Sequence, residues 1–260
     1  MDGSPAVHPR RALTQPTATG STAAPSPVTG RWARRAGIAL GAVCFLLTAW
    51  SFALPLLTGL GVKDMPWWRE FFSVNHEENL TAWWSAGLLL LAGVGFLAVG
   101  LLRRGLRADR PRTLAAWVVP GLLLAGMSLD ETTQLHERAD LLWDAIPFLP
   151  ENPLTAFRGL IVSGPVAMVV IVVVVLLARA LPRRTRVLAS AGVLVFFLGA
   201  IGFEAIPLLL DIWASSWAYH AVTHLEELTE MLGAVLLVLA PWVHLHLDRS
   251  HGRLTVTTDR

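Results

Sequence analysis

Residues 113 to 137 read TLAAWVVPGLLLAGMSLDETTQLHE, an apolar run that ends in four ionisable side chains, Asp130, Glu131, His136 and Glu137. About 20 apolar residues span a bilayer core as a helix. A carboxylate in hydrocarbon costs at least a few kcal/mol, so Asp or Glu at membrane depth indicates a functional site. The stretch therefore predicts a membrane helix with a chemically active outer end.

The composition extends this prediction to the whole chain. Of the 260 residues, 54% are hydrophobic and 15% are charged, whereas a soluble domain has about 25% charged residues. The pattern predicts an all-α fold, a polytopic membrane bundle of about six transmembrane helices, because the apolar stretches are too long for the strands of a barrel. The six stretches are approximately 36–60, 80–102, 113–131, 159–181, 187–210 and 225–246.

The charges predict the orientation in the cell membrane. Of the 21 Lys and Arg residues, 17 lie before the first stretch, in the second and fourth connections and in the tail. By the positive-inside rule both termini are cytoplasmic. The outer side then carries 15 of the 19 acidic residues. The basic balance thus reflects topology and gives no sign of nucleic-acid binding. The single cysteine, Cys44, excludes an internal disulfide and a thiolate metal cluster.

The predicted organisation is a disordered cytoplasmic tail over 1–30, a six-helix transmembrane domain over 31–247 and a short cytoplasmic tail over 248–260. The first stretch is too long for a signal peptide, so we expect it to remain as an anchor. Asn79 is the expected N-cap of the second span. Pro207 is expected to kink the fifth, leaving Glu204 and Asp211 on one face if the helix continues.

A second acidic motif, LEELTEMLG over residues 225–233, opens the last apolar stretch. At about 100° per residue, His220, His224 and Glu227 fall within an arc of about 60° of one helix. In the third helix, Asp130, Gln134 and Glu137 share a face. Neither face completes a site alone, so we expect a site shared by the third, fifth and sixth helices.

One hypothesis is a divalent metal site for Zn, Fe or Mn, because carboxylates and imidazoles are suitable ligands for these metals. A metal would activate water for a hydrolase or oxidase of a lipid-like substrate, with Glu137 or Glu230 accepting a proton. The Glu-x-x-His spacing of di-iron bundles is missing, which weakens that version. The candidate metal ligands are Asp130, Glu131, His136, Glu204, Glu226, Glu227, His220 and His224.

Two alternatives remain open. Clustered glutamates in a low dielectric can relay protons or bind a cation, as in a proton- or cation-coupled transporter. The same groups can also face water at helix ends without further function, as in a structural accessory subunit whose protein partners the sequence does not identify. A helix dipole stabilises acids at the start of the last helix, but it does not explain those that end the third.

The motifs LDExxxxHE and EExxEMxG, with ENLxxWWS before them, resemble those of a family of bacterial six-helix membrane proteins without an assigned function. The resemblance covers the chain from Phe71 to the end of the sixth span and implies a topology but no reaction. Glu226 and Glu227 also match the start of the membrane prenyl-protease motif EExxxR, but Met231 stands at the Arg position. The residues that match the six-helix family are Glu78, Asp130, Glu131, His136, Glu137, Glu204, Glu226, Glu227 and Glu230.

Overall fold

A computed structural model of the protein describes residues 27–76, 78–105, 111–135, 158–212, 216–243, 245–250 and 253–258. Within these ranges the chain is mainly helical. The helices are α1 (Pro27–Thr58), α2 (Trp67–Glu70), α3 (Leu80–Gly105), α4 (Pro111–Thr133), α5 (Arg158–Ala178), α6 (Arg183–Phe197), a π-helical turn (Leu198–Phe203), α7 (Ala205–Leu209) and α8 (Trp217–Trp242). Two antiparallel strands follow, β1 (Leu245–Ser250) and β2 (Arg253–Thr258).

Four helical segments are long and apolar enough to cross a membrane: Arg31–Thr58, Leu80–Arg104, Pro111–Thr133 and Arg183–Leu209. They correspond to the predicted first, second, third and fifth spans. The predicted fourth span is the helix α5, whose apolar part Gly164–Ala178 is shorter. The predicted sixth span corresponds to α8, which carries Glu226, Glu227 and Glu230. The chain is therefore a helical protein with several membrane-capable helices.

Helices α3 and α4 pack closely in opposite directions, because glycines let their backbones approach. An ideal Cβ at Gly93 would lie 2.9 Å from the carbonyl oxygen of Gly121 on α4. Nearer the start of α3, the Ser128 hydroxyl donates a hydrogen bond of 2.8 Å to the Ala86 carbonyl. This contact fixes the depth of the acidic end of α4, since Ser128 lies one turn before Glu131.

Helix α8 is the centre of the bundle and packs against α1, α3, α6 and the π-helical turn. Its Gly233 faces α6 so closely that an ideal Cβ there would lie 2.5 Å from the backbone nitrogen of Phe196. On α1, an ideal Cβ at Gly41 would lie 3.7 Å from Leu232. Small residues at such crossings are what membrane helices use to pack without a hydrophobic driving force.

The connection between α1 and α3 confirms the predicted N-cap. The Asn79 side-chain oxygen accepts hydrogen bonds from the backbone N–H groups of Thr81 (3.0 Å) and Ala82 (3.1 Å). In the same connection the buried guanidinium of Arg69 donates to the carbonyl oxygens of Gly61 and Val62. Burial lowers the pKa of Arg69 below its ordinary value, and the Asp64 carboxylate opposes that shift. These bonds fix the conformation of the connection between α1 and α3.

Three boundaries differ from the sequence predictions. Helix α1 begins at Pro27, inside the predicted disordered tail. The regular helix of the fifth segment gives way at Leu198, well before Pro207, because the π-helical turn packs Gly199 against α8. The last helix begins at Trp217 and ends at Trp242, and strand β1 occupies the end of the predicted sixth span.

Candidate functional site

Four glutamates from three parts of the fold interact electrostatically with one side chain, Glu230 on α8. Like-charge interactions reach Glu230 from four other carboxyl groups, those of Glu227, Glu131, Glu226 and Glu204. Glu226 interacts in the same way with Glu204. We call these five residues the acidic cluster. It brings together five of the ten site residues that the sequence predicted.

The π-helical turn is what brings α8 and Glu204 together. An ideal Cβ at Gly199 would lie 2.5 Å from Cγ of Glu230 and 2.9 Å from the carbonyl oxygen of Glu226. Any larger residue would push the turn away from α8. Glu204 follows the turn directly as its C-terminal cap residue. Such π-helical turns within helices occur frequently at functional sites.

Helix α4 ends at Thr133, so Gln134 does not continue the helix face of Asp130 as predicted. Gln134 has a φ of 57°, and its N–H donates to the Asp130 carbonyl over 2.7 Å. A left-handed residue at this position is a common helix terminator. Glu131 joins the acidic cluster, and Asp130 lies beside it on the last turn of α4. His136 and Glu137 lie outside the described residues.

His220 and His224 face α1, on a side of α8 away from the π-helical turn. The Ser51 hydroxyl on α1 lies 2.9 Å from Nε2 of His224, and the Val74 N–H donates to the same hydroxyl over 3.1 Å. Nδ1 of His224 lies 2.6 Å from the carbonyl oxygen of His220. Because a carbonyl only accepts, Nδ1 donates and Nε2 accepts from Ser51.

The second histidine belongs to the same polar contact with α1. Nε2 of His220 lies 3.4 Å from the Phe52 carbonyl oxygen, and the two rings stack with centroids 5.1 Å apart. Both imidazoles are thus engaged in holding α1 against α8. The predicted arc of His220, His224 and Glu227 exists on the helix, and both of its histidines contact polar atoms of α1.

The described part of the chain holds no preformed metal site. Among those residues, no three His, Cys, Asp or Glu side chains are arranged to hold a metal ion. Glu204 and Asp211 do not share a helix face either, since α7 ends at Leu209 and Asp211 has a φ of 51°. The donor set of the acidic cluster is carboxylate alone, which suits protons or hard cations better than zinc.

Ser85 has no role predicted from the sequence, but the structure places its hydroxyl in an unusual environment. Its side chain is 2% exposed, and its hydroxyl has no hydrogen-bond partner in the described residues. The only sequence feature that could have indicated it was its position after Trp83 and Trp84, near the start of the long apolar helix α3. A buried hydroxyl needs tertiary information to be recognised as unsatisfied.

An apolar crevice lies deeper in the bundle than the acidic cluster, between α3, α4, α5 and α6. Its cavity volume is about 10 Å³, which is about the room that one water molecule needs. Met127, one turn before Glu131, lies at its wall together with Phe96, Leu123, Val170 and Phe197. The crevice is therefore a small packing gap between apolar side chains and is too small for a hydrocarbon chain.

Fold and site define a class: a helical, membrane-capable protein with a carboxylate cluster between its helices. The chain belongs to a family described as a domain of unknown function, DUF8692, whose model matches residues 37–245. No curated protein matches the chain, and no solved structure does. The family match covers every element of the acidic cluster and gives it no activity.

Proposed function

We propose that the protein is a six-span membrane protein, with both termini in the cytoplasm, that binds and transfers protons or a cation through the acidic cluster. In this proposal it acts as a proton- or cation-coupled transporter of a bacterial cell membrane. The helical architecture and the distribution of arginines support this topology. The observation that carries the function is the interaction of four other glutamates with Glu230.

The physical reason is charge compensation. Ionised carboxylates that interact with one another repel, and partial burial between packed helices adds a desolvation cost. A proton or a cation bound at Glu230 relieves both costs. A coupled transporter requires a group that binds and releases a proton or a cation as its surroundings change.

The test is proton flux in proteoliposomes that contain a pH-sensitive dye, driven by a potassium diffusion potential. Wild-type protein should carry protons, and Glu230→Gln should reduce the flux at least about tenfold, the effect of a barrier change of about 1.4 kcal/mol. Asp211→Asn is the matched control, because Asp211 is exposed and lies outside the acidic cluster. Equal flux in wild type and Glu230→Gln, or no flux above protein-free vesicles, would contradict the proposal.

A second candidate is a metal-dependent hydrolase or oxidase of a lipid-like substrate. The observation in its favour is that Glu131, near the end of α4, interacts with Glu230 and lies five residues before His136 in the chain. His136 and Glu137 would have to complete the ligand set, with Zn, Fe or Mn as the metal. Mass spectrometry of purified protein decides between the candidates: about one equivalent of metal, lost when Glu131, His136 and Glu227 become Ala, would favour the enzyme.

A further inference from the structure

Large aromatic side chains lie exposed on the connection between α1 and α3 and on the helix turns beside it. Trp67 is 80% exposed, Trp83 67%, Phe71 49% and Trp50 47%. We call these four residues the aromatic surface. An exposed apolar patch marks a place where a protein contacts a membrane or another molecule. The structure around the aromatic surface indicates which of the two covers it.

The aromatic surface runs from the start of α3 to the last turns of α1. The Leu80 N–H donates to the Phe71 carbonyl oxygen over 3.2 Å, and Trp83 lies one turn after Leu80. On the other side, the Phe71 ring contacts that of Phe72 edge-on, with centroids 5.0 Å apart. Phe72 contacts the Trp50 ring in the same way, at 6.4 Å. The surface therefore links two helices that are long and apolar enough to cross a membrane.

The buried Arg69 fixes which side of α2 faces outward. It is 2% exposed, and its guanidinium donates to the carbonyl oxygens of Gly61 and Val62. At about 100° per residue, Trp67 and Phe71 lie about 40° apart, and Arg69 lies on the opposite side of the turn. The guanidinium is therefore turned into the protein, and the two aromatic side chains are turned away from it.

The connection folds back along α1 instead of extending beyond its end. The Val74 N–H donates to the Ser51 hydroxyl over 3.1 Å. Ser51 lies seven residues before Thr58, where α1 ends. Seven helical residues span about 10 Å. The segment that carries the aromatic surface thus returns to lie beside the last turns of α1, at the end of a predicted span.

The backbone of the connection has the internal partners that a segment surrounded by lipid needs. Arg69 donates to three carbonyl oxygens of the connection, those of Gly61, Val62 and Asp64. The buried Asn79 amide donates to three more, those of Glu70, Ser73 and His76. Water would satisfy such groups on an ordinary surface loop, but hydrocarbon offers no donor. This pattern favours a lipid environment over an aqueous one.

The aromatic surface also continues the exposed apolar faces of the two helices. On α1, Trp50 lies one turn after Leu46, which is 64% exposed. On α3, Trp83 lies two turns before Leu90, which is 50% exposed, and the two residues are about 20° apart around the helix. Lipid that surrounds these leucines in a membrane therefore reaches the aromatic surface without a break.

We propose that the aromatic surface binds phospholipid and holds the connection between α1 and α3 in the headgroup layer of the outer leaflet. Aromatic side chains favour this layer, where one part of the ring system is in an apolar and another in a wet environment. The four side chains carry no charge, so the surface recognises the border between the lipid esters and the hydrocarbon. The inference needs α1 and α3 to cross the membrane, as in the proposed function, but it does not depend on the acidic cluster.

Nitroxide labels on the protein in phosphatidylcholine vesicles measure what covers the surface. Labels are attached to Trp67→Cys and Phe71→Cys, with Lys63→Cys, an exposed position of the same connection, as the matched control. The wild type gives the background, because its single cysteine, Cys44, is fully buried. Labels on the aromatic surface should collide faster with oxygen, which concentrates in bilayers, than with a water-soluble nickel complex. The label at position 63 should show the reverse order.

A fluorescence measurement tests the native side chains themselves. Phosphatidylcholine with bromine atoms close to the headgroup should quench part of the wild-type tryptophan fluorescence. This quenched part should decrease in Trp67→Phe and in Trp83→Phe, which keep an aromatic ring and thus the packing. Trp117→Phe is the matched control, because Trp117 is fully buried and its loss should leave the quenched part unchanged.

Three results would overturn the inference. Faster collision with the nickel complex at positions 67 and 71 would mean that water covers the surface. Slow collision with both reagents would mean that protein covers it, and dipolar broadening between labels would identify that protein as a second copy of the chain. Equal quenching in wild type, Trp67→Phe and Trp83→Phe would exclude contact with the headgroup layer. The proposed function is tested separately, by proton flux in Glu230→Gln.

Discussion

Gly199 and Glu230 are in such close contact that an ideal Cβ on the glycine would stand 2.5 Å from Cγ of the glutamate. The contact joins the π-helical turn to α8 in the middle of the acidic cluster. Real Cβ atoms do not approach a neighbour so closely. The position of Glu230 and the conformation of the turn therefore depend on each other.

Gly199→Ala should destabilise the protein by about 1–3 kcal/mol, the usual cost of overpacking, and should lower proton flux because Glu230 is displaced. Thermal unfolding in detergent and liposome flux measure the two effects. Gly87→Ala on α3 is the control, since a Cβ there meets nothing within 4 Å. If both alanine variants have the same melting temperature and the same proton flux, the contact between Gly199 and Glu230 does not matter for stability or flux.

Asn79→Ala should cost about 1–2 kcal/mol from loss of the helix cap, and more because the Asn79 amide also donates to the carbonyls of Glu70, Ser73 and His76. We expect a lower melting temperature and increased protease cleavage between α1 and α3. Asn75→Ala, an exposed neighbour, should leave both unchanged. A melting temperature equal to that of wild type would show that the cap is not needed.

Ser51 and His224 should be energetically coupled, because the Ser51 hydroxyl donates to the imidazole and accepts from the Val74 N–H. A double-mutant cycle with Ser51→Ala and His224→Ala should give a coupling of about 0.5–3 kcal/mol. Denaturation measured for the four proteins yields this value. Additive effects would contradict the hydrogen bond, and loss of a bound metal in His224→Ala would return the histidine to the metal hypothesis.

Thr185→Val and Ser85→Ala should both raise the melting temperature, because each removes a buried hydroxyl without a partner in the described residues, which costs about 1–3 kcal/mol when unsatisfied. Thermal unfolding in detergent measures the effect. Thr223→Val is the control and should lower the melting temperature, because the Thr223 hydroxyl donates to the Tyr219 carbonyl. A lower melting temperature of Ser85→Ala would mean that its hydroxyl already has a partner.

Hydropathy alone predicted an all-helical fold, because membrane helices need long apolar runs, and four of the six predicted spans correspond to helices long and apolar enough to cross a membrane. Asn79 was predictable as a cap from its local position. The end of α4 was not, since the acidic motif continues past Thr133 and a left-handed Gln134 leaves no periodic signal. The π-helical turn was also hidden, because it arises from the fit of Gly199 against a helix that follows later in the chain.

The site was predicted as a set of residues but not as an arrangement. Helical periodicity placed His220, His224 and Glu227 within one arc, yet it could not say which helix each would meet. Ser51 lies 173 residues from His224 in the chain. Ser85 could not be recognised at all, because a serine in a helix usually satisfies itself. Charged residues in apolar segments were thus the informative signal, and tertiary partners were the missing one.

The central claim is that the Glu230 carboxyl group binds and releases the protons or the cation that the acidic cluster exchanges. Infrared spectroscopy of the purified protein at neutral pH tests it directly through the carbonyl stretch of protonated carboxyl groups. We predict a band from a protonated carboxyl that is retained in Asp211→Asn and is lost in Glu230→Gln. An identical spectrum in wild type and Glu230→Gln would contradict the account.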